Sequence, residues 1–383
     1  MKAITRLSAA TVALAAALSL ASGSASAFAA EPASASEALR DTQHAVFVQT
    51  DNTAGNEIVS YYRAANGTLK QVGVFETGGA GGVLEGSKVD HLASQGSLAY
   101  DPSDGLLYAV NAGSDTISVF AVYGDELVRR QVISSGGSFP VSVAYSHGLV
   151  YVLNAEEGGS VQGYAVLFGH LLPIPGSNRA LGLNASATPQ FTNTPGQVAF
   201  SPNGSQLIVT TKENGSDIDV FHVGPFGHLS ATPVVNSEPG TVPFGVSFDQ
   251  EGHLVVAEAA GFLASFSLSP GGTLTQLDAV ATNQAATCWV AADGGYFYAS
   301  NAGSASLSDF QAGIAGALTF LGDTTTDAGT VDAAATSDGR YLYVQAGAAG
   351  IVDEFAVGAG GSLSEIGSVT VPNATGGEGI AAQ

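Results

Sequence analysis

Two charged residues, Lys212 and Glu258, are candidates for chemistry because each stands at the end of a predicted second strand. A lysine beside carboxylates can polarise a carbonyl group or bind a substrate carboxylate, and a lysine–glutamate pair across a channel can do acid–base work. We therefore predict that Lys212 polarises a carbonyl group and that Glu258 acts as a general base. A structural ion pair between Lys212 and Glu213 is the alternative interpretation.

Polar and aromatic side chains near the loop that enters a first strand, or at the end of a second strand, are candidates for contacts with a small ligand, because these two places emerge on the same face of a propeller. The predicted ligand-binding residues are Gln95, Asn111, Asn154, Thr211, Trp289 and Asn301. An asparagine at the end of a strand is also a good hairpin-turn residue, because its side chain can hydrogen-bond to its own backbone. Turn formation is therefore the alternative role for the three asparagines.

The sequence gives no support for a metal or a cofactor. The seven histidines have no HxH or HExxH spacing, and no phosphate-binding or dinucleotide-binding glycine motif or GxSxG elbow is present. Asp51, Asp101 and Asp104 lie in turns and could hold calcium, but no loop around them has the required number of ligands. The single cysteine, Cys288, lies in an apolar run beside Trp289, which predicts a buried and inert thiol.

The elements that would position these residues recur seven times along the chain. Each unit has an aromatic residue followed seven or eight positions later by leucine: Tyr61–Leu69, Phe120–Leu127, Tyr164–Leu171, Phe221–Leu229, Phe266–Leu274, Phe310–Leu318 and Phe355–Leu363. The aromatics from Phe221 to Phe355 are 45, 44 and 45 residues apart. A period of this length with about four short strands predicts an all-β, seven-bladed β-propeller, and a solenoid is the alternative.

The ends of the repeat predict how the ring closes. The unit that opens at His44 lacks a first strand, and a matching strand, Glu378 to Ala382, follows the seventh unit. We expect this C-terminal strand to complete the first blade, because closure leaves no exposed sheet edge. Residues 44–383 would then form a single propeller domain.

The N-terminal residues and the overall charge predict location and partners. Residues 1–29 read as a signal peptide, with Lys2 and Arg6, an apolar run and the small residues Ala25 to Ala27, and residues 30–43 read as a leader segment. We expect a secreted monomer without membrane insertion. The formal charge of −22 disfavours nucleic acid, so the expected partner is a small-molecule ligand or a surface protein.

The sequence of the repeats resembles the lactonase-like seven-bladed propellers, a family that includes bacterial 6-phosphogluconolactonase and fungal carboxymuconate-lactonising enzyme. The phrases that carry the resemblance are Ser94 to Leu98, Leu107 to Ser114, Phe200 to Gly204, Thr210 to Lys212 and Cys288 to Val290. They are most similar to an exported bacterial branch of the family. The resemblance implies a propeller that hydrolyses or forms a lactone at the mouth of its central channel.

The family's catalytic phrases are altered in this chain. Thr194 and Gly196 stand where the resemblance implies a pair of histidines, and Phe244 and Gly245 stand where it implies Arg-His, whereas Glu258 keeps the family's acid. The alternative hypothesis is therefore a non-catalytic propeller that binds a small ligand or a protein partner through the same rim.

Overall fold

The structure is a computed structural model and describes residues 44–383. These residues form seven antiparallel sheets, each with four main strands, arranged as the blades of a ring. The all-β, seven-bladed prediction is confirmed. The predicted signal peptide (1–29) and leader segment (30–43) lie outside the described residues. No helix in the described part of the chain is long and apolar enough to cross a bilayer.

Each blade runs from a first strand at the central channel to a fourth strand at the outside. Blade 1 has β1 (Ala45–Gln49), β2 (Glu57–Arg63), β3 (Leu69–Glu76) and β29 (Ile380–Ala382). Blade 2 has β4 (Leu98–Asp101), β5 (Leu106–Asn111), β6 (Thr116–Tyr123) and β7 (Glu126–Ser134). Blade 3 has β8 (Pro140–Ser146), β9 (Leu149–Asn154), β10 (Ser160–Leu167), β11 (His170–Pro173) and the extra β12 (Arg179–Ala180). Blade 4 has β13 (Val198–Phe200), β14 (Gln206–Thr210), β15 (Asp217–His222) and β16 (Val234–Ser237).

The remaining elements follow in chain order. Blade 5 has β17 (Pro243–Phe248), β18 (Leu254–Glu258), β19 (Phe262–Leu268) and β20 (Leu274–Ala281). Blade 6 has β21 (Thr287–Asp293), β22 (Tyr296–Asn301), β23 (Ser306–Ala312) and β24 (Leu318–Thr325). Blade 7 has β25 (Thr330–Ala335), β26 (Tyr341–Ala346), β27 (Ile351–Val357) and β28 (Leu363–Thr370). The helix α1 is Gln190–Asn193, and short 3-10 turns are Ala112–Ser114, Pro225–Gly227, Ile314–Gly316 and Ala359–Gly361.

The seven aromatic residues of the repeat are buried in the third strand of each blade. In five blades the pairing with the fourth strand shifts register directly before the aromatic: at Tyr61, Phe120, Phe266, Phe310 and Phe355. A bulge increases the local twist of a strand, and a blade needs strong twist to run from the channel to the rim. The repeated aromatic therefore marks the bend of the blade as well as its core.

The ring closes as the sequence predicts. Strand β29 pairs antiparallel with β1, with Phe47 opposite Ala381. Two backbone hydrogen bonds extend the pairing, from Gln49 N–H to Gly379 O at 2.9 Å and from Gln383 N–H to Ala45 O at 3.0 Å. The first blade thus takes its innermost strand from the other end of the domain.

Two long connections cover one face of the ring. We call this the mouth face; it carries the hairpins between the second and third strands. The first insertion, residues 77–97, joins β3 to β4, and the second insertion, residues 181–197, joins β12 to β13 and contains α1. The two contact each other, because Glu85 N–H donates to Gln190 Oε1 at 2.9 Å and Phe191 N–H donates to Glu85 O at 3.2 Å.

Candidate functional site

A cavity of about 300 Å³ lies on the mouth face between blades 4, 5 and 6 and the two insertions. Its wall is mainly apolar: Val89, Ala93, Phe191, Val242, Phe244, Ala259, Ala286, Trp289 and Ala302. The polar side chains in the lining are those of Lys88, Asp90, Thr192, Lys212 and Cys288. A concave, mostly apolar cavity with a few polar groups is typical of a small-molecule site.

The ammonium group of Lys212 is buried in this wall, and its hydrogen bonds differ from those that we predicted. It donates to Ala93 O at 2.7 Å, to Phe191 O at 2.7 Å and to Thr194 Oγ1 at 3.1 Å, and it lies 5.2 Å from the centre of the Phe244 ring. An ammonium group has three N–H donors. All three are used, so this arrangement leaves none for a ligand carbonyl. Lys212 instead fastens both insertions to blade 4.

Two buried carboxyl groups, those of Asp90 and Glu378, face the charge of Lys212. Burial lowers the pKa of Lys212 to about 8, and Asp90 and Glu378 oppose that change. Burial raises the pKa of Asp90, while a hydrogen bond with Glu378 and the charge of Lys212 counteract the rise. The pKa of Glu378 is raised well above its usual range by burial and by the charges of Asp90 and Asp51. These directions show that the proton affinities of the two carboxyl groups depend on each other and on the nearby charge of Lys212.

Asp90 brings a carboxylate to the cavity. Its side chain lines the cavity although it is only 5% exposed, and its Oδ2 atom has no hydrogen-bond donor within residues 44–383. Glu378 lies behind it and accepts hydrogen bonds from Ser94 Oγ and from Ser94 N–H. A buried acceptor without a donor is costly. Because Asp90 Oδ2 has almost no accessible surface, a water molecule or a ligand hydroxyl group reaches it only when a neighbouring side chain moves.

Sequence reasoning missed both carboxyl groups because Asp90 lies outside the repeat and Glu378 was considered only as part of the closing strand. Asp90 belongs to the first insertion, and Glu378 immediately precedes the closing segment. The available signal was the position of the insertion: a long connection that enters the first strand of a blade must cross the mouth face. An acid in such a connection is a candidate for the channel mouth.

Glu258 lies at the end of β18 and is buried, but it does not line the cavity. Burial and, to a smaller extent, the nearby charge of Glu238 together raise its pKa to about 7. The charges that act on Lys212 are those of Asp90, Glu378 and Cys288. The structure therefore does not bring Lys212 and Glu258 together as a pair, and the general-base role of Glu258 stays a prediction without a supporting contact.

Asn111, Asn154 and Asn301 are fully buried at the ends of their second strands and do not line the cavity. Each donates from Nδ2 to a hydroxyl group at the start of the adjacent third strand: Asn111 to Ser118 Oγ at 2.9 Å, Asn154 to Ser160 Oγ at 3.4 Å and Asn301 to Ser308 Oγ at 3.0 Å. Thr211 closes its hairpin similarly, accepting from Asp217 N–H at 2.8 Å. These contacts fit the turn-forming role that the sequence left open.

Gln95 and Trp289 tie the first insertion across the central channel to β21. The Gln95 amide donates to Val290 O at 2.9 Å and accepts from Val290 N–H at 2.9 Å. The Trp289 indole N–H donates to Ser94 O, and its ring lies 4.8 Å from the Phe244 ring. Of the predicted ligand-binding residues, the cavity lining contains Trp289 alone.

Comparison with known proteins supplies the family. The model of the family "Lactonase, 7-bladed beta-propeller" matches residues 133–376. The chain belongs to this lactonase family. A search of curated proteins found no match.

Two solved structures show how this lactonase-family propeller compares with its neighbours. A periplasmic gluconolactonase of Pseudomonas aeruginosa is 19% identical, with a TM-score of 0.72 over 88% of this chain and 98% of the other. A Bacteroides fragilis protein proposed to be a 6-phosphogluconolactonase is 18% identical, with a TM-score of 0.69 over 90% of this chain and 98% of the other. At this level of identity, the likeness shows the shared fold alone.

The structure explains why this lactonase-family propeller has glycine where the resemblance implies histidine. A Cβ atom at Gly245 would overlap Gln95 Oε1, and one at Gly196 would lie 2.9 Å from Thr210 Oγ1 and 3.3 Å from Lys212 Cγ. The bridge from Gln95 to β21 and the side chain of Lys212 therefore occupy the space that histidines would need.

The described residues of the lactonase-family chain give little support for a cysteine nucleophile or a metal site here. Cys288 is buried, as predicted, and burial raises the pKa of its thiol far above the usual range, so it is a poor nucleophile. Within residues 44–383, no group of three or more His, Cys, Asp or Glu side chains could hold a metal ion.

Buried carboxyl groups at the channel predict how stability depends on pH. Burial raises the pKa of Asp51 and of Asp332 from 3.8 to about 7. Unfolding releases their protons between these values, so raising the pH favours the unfolded state by up to about 1.4 kcal/mol per pH unit for each group. The stability that the protonated forms confer is fully present below pH 3.8 and lost as the pH rises through about 7.

We therefore expect the free energy of unfolding, measured with urea, to be lower at about pH 8 than at about pH 5. Asp332→Asn should flatten this slope, because the amide can still accept from Ala333 N–H, which lies 3.0 Å from Asp332 Oδ1, and it does not titrate. A free energy of unfolding that rises over this interval would contradict the assignment.

Proposed function

We propose that this chain is an exported enzyme that hydrolyses a lactone in the mouth-face cavity, with Asp90 as the general base. The observation that carries the proposal is the buried carboxyl group of Asp90 in the wall of a mainly apolar cavity. Family membership supports lactone chemistry as the reaction class. Export is proposed from the signal-like residues 1–29.

The reaction would use the Asp90–Glu378 pair to move protons. A water molecule held by Asp90 gives a proton to its carboxylate as the water oxygen attacks the lactone carbonyl carbon. The tetrahedral intermediate then collapses, and the ring C–O bond breaks. The leaving alkoxide takes a proton from the Asp90–Glu378 pair, which returns to its starting state with one shared proton. The product is the corresponding hydroxy acid.

Lys212 would support this chemistry from a distance. Its charge opposes the rise in the pKa of Asp90 that burial causes, so one member of the carboxyl pair stays ionised. In this role Lys212 is a positioning residue, because its three N–H donors hold the insertions that carry Asp90 and Phe191.

The direct test is hydrolysis of a panel of γ- and δ-lactones by the purified protein, followed as acid release at constant pH. We expect turnover of at least one lactone, and turnover should fall at acidic pH as Asp90 takes up a proton. If every lactone is hydrolysed no faster than in buffer, this proposal fails.

A non-catalytic binding propeller is the second candidate. The observation in its favour is that the cavity combines a lysine with no free N–H donor and a protonated cysteine with an apolar wall. Such a cavity can bind a small molecule without a group that activates its carbonyl. Saturable binding of a lactone that is never hydrolysed would favour this candidate.

A further inference from the structure

We infer that the cavity takes a neutral lactone with an apolar substituent, and that it rejects phosphorylated and other anionic lactones. This inference rests on the proposed function, because it names the ligand class of the same site.

The lining sets the first part of this preference. Three aromatic side chains, Phe191, Phe244 and Trp289, form one wall, and small or branched aliphatic side chains complete it. A ligand hydroxyl group that entered among them would lose its hydrogen bonds to water without replacement, which is unfavourable. An alkyl or aryl substituent loses nothing on entry and gains contacts with the aromatic wall. Polyhydroxylated lactones are therefore poorer ligands than alkyl lactones of similar size.

The charges set the second part. Lys212, the cation in the wall, already uses its three N–H donors in hydrogen bonds to protein atoms. The charges of Asp90 and Glu378 act on it. An anionic group in the cavity would meet Asp90 in a site of low dielectric, where like charges repel strongly. The chain as a whole also has a formal charge of −22, which repels anions during approach.

Among the lining residues, the other cation that a ligand anion could contact is Lys88. Lys88 lines the cavity but is exposed to solvent. An exposed lysine binds a carboxylate or phosphate only weakly, because water and salt screen the attraction. Lys88 can therefore assist an anion as it leaves but cannot hold one inside.

This arrangement also affects the product. Ring opening converts a neutral lactone into a hydroxy acid whose new carboxylate forms beside Asp90. The same repulsion that excludes anionic lactones then favours release of the product. We thus expect the hydroxy acid to bind more weakly than the lactone from which it forms.

Trp289 allows this inference to be tested by binding alone. It is the single tryptophan of the chain and lines the cavity, so its fluorescence reports on ligands there. The unaltered protein, over times too short for turnover, and the Asp90→Asn protein, which should not consume the ligands, are each titrated with γ-nonalactone, gluconolactone and 6-phosphogluconolactone. We expect the unaltered protein to bind γ-nonalactone at least about tenfold more tightly than the other two. Both 6-phosphogluconolactone and the hydroxy acid of γ-nonalactone should bind more tightly to Asp90→Asn than to the unaltered protein.

A Phe168→Ala protein serves as the control, because Phe168 is 93% exposed on a hairpin at the opposite face and its titrations should match those of the unaltered protein. Tighter binding of 6-phosphogluconolactone to the unaltered protein overturns the inference even if lactones are hydrolysed. Tight binding of γ-nonalactone without turnover upholds the ligand class and overturns the proposed reaction. If none of the three changes the fluorescence, the inference also fails.

Discussion

The Asp90→Asn protein should hydrolyse the preferred lactone about 10²- to 10⁴-fold more slowly than the unaltered protein, the range that removal of a general base typically gives. Asparagine has nearly the same shape as aspartate, but its amide cannot take a proton from the attacking water. The hydrogen bonds of Lys212 go to Ala93, Phe191 and Thr194, so this exchange leaves them in place. The value of kcat should fall more than KM rises, because the lost interaction matters in the transition state.

The matched control for this experiment is Glu258→Gln. It makes the same acid-to-amide change at another buried carboxyl group that does not line the cavity, and we expect kcat/KM to change by less than about threefold. Urea unfolding of both proteins separates loss of activity from loss of fold. If Glu258→Gln is inactive while Asp90→Asn is active, the general base is Glu258, as the sequence alone suggested.

Removal of Gly379 to Gln383, which contain β29, should destabilise the protein by at least about 5 kcal/mol. The cut exposes one edge of β1 and the buried side chains around it. It removes burial of Ile380, worth about 2 kcal/mol, and several backbone hydrogen bonds of about 1 kcal/mol each. A loss of this size is comparable with the whole stability of many proteins, and the free edge invites aggregation.

Urea unfolding and size-exclusion chromatography would measure this effect. Ile380→Val is the matched control, because it keeps the strand and removes one methylene group, at a cost of about 1 kcal/mol. A shortened protein that remains monomeric and unfolds at the same urea concentration as the full chain would show that β29 does not hold the ring closed.

The sequence predicts the blades well because every blade is built on the same pattern of buried residues. The buried aromatic at the bend and the leucine that follows it recur at nearly constant spacing, so seven copies reinforce one interpretation. The missing first strand in the unit at His44 similarly required a strand from elsewhere in the chain. The fold and the closure of the ring could therefore be predicted from the periodicity of the sequence.

The site was harder to predict because it is built mainly outside the repeat. The sequence predicted that residues after the second strands form a ligand-binding rim, whereas Asn111 and Asn301 are buried and bond to hydroxyl groups within their own blades. The charges that act on Lys212 include those of Asp90, from a long connection that follows no period, and Glu378, which precedes the closing strand. Each irregular connection occurs only once, so the sequence contains no second copy from which its path could be predicted.

The position of Glu378 links ring closure to the order in which the chain is made. Asp90 leaves the ribosome early, before six of the seven blades, whereas Glu378 arrives with the strand that returns to blade 1. The two carboxyl groups therefore cannot come together in a chain that has not yet closed the ring. Only a chain whose closing strand has joined blade 1 can bring Asp90 and Glu378 together, so the proposed activity would require ring closure.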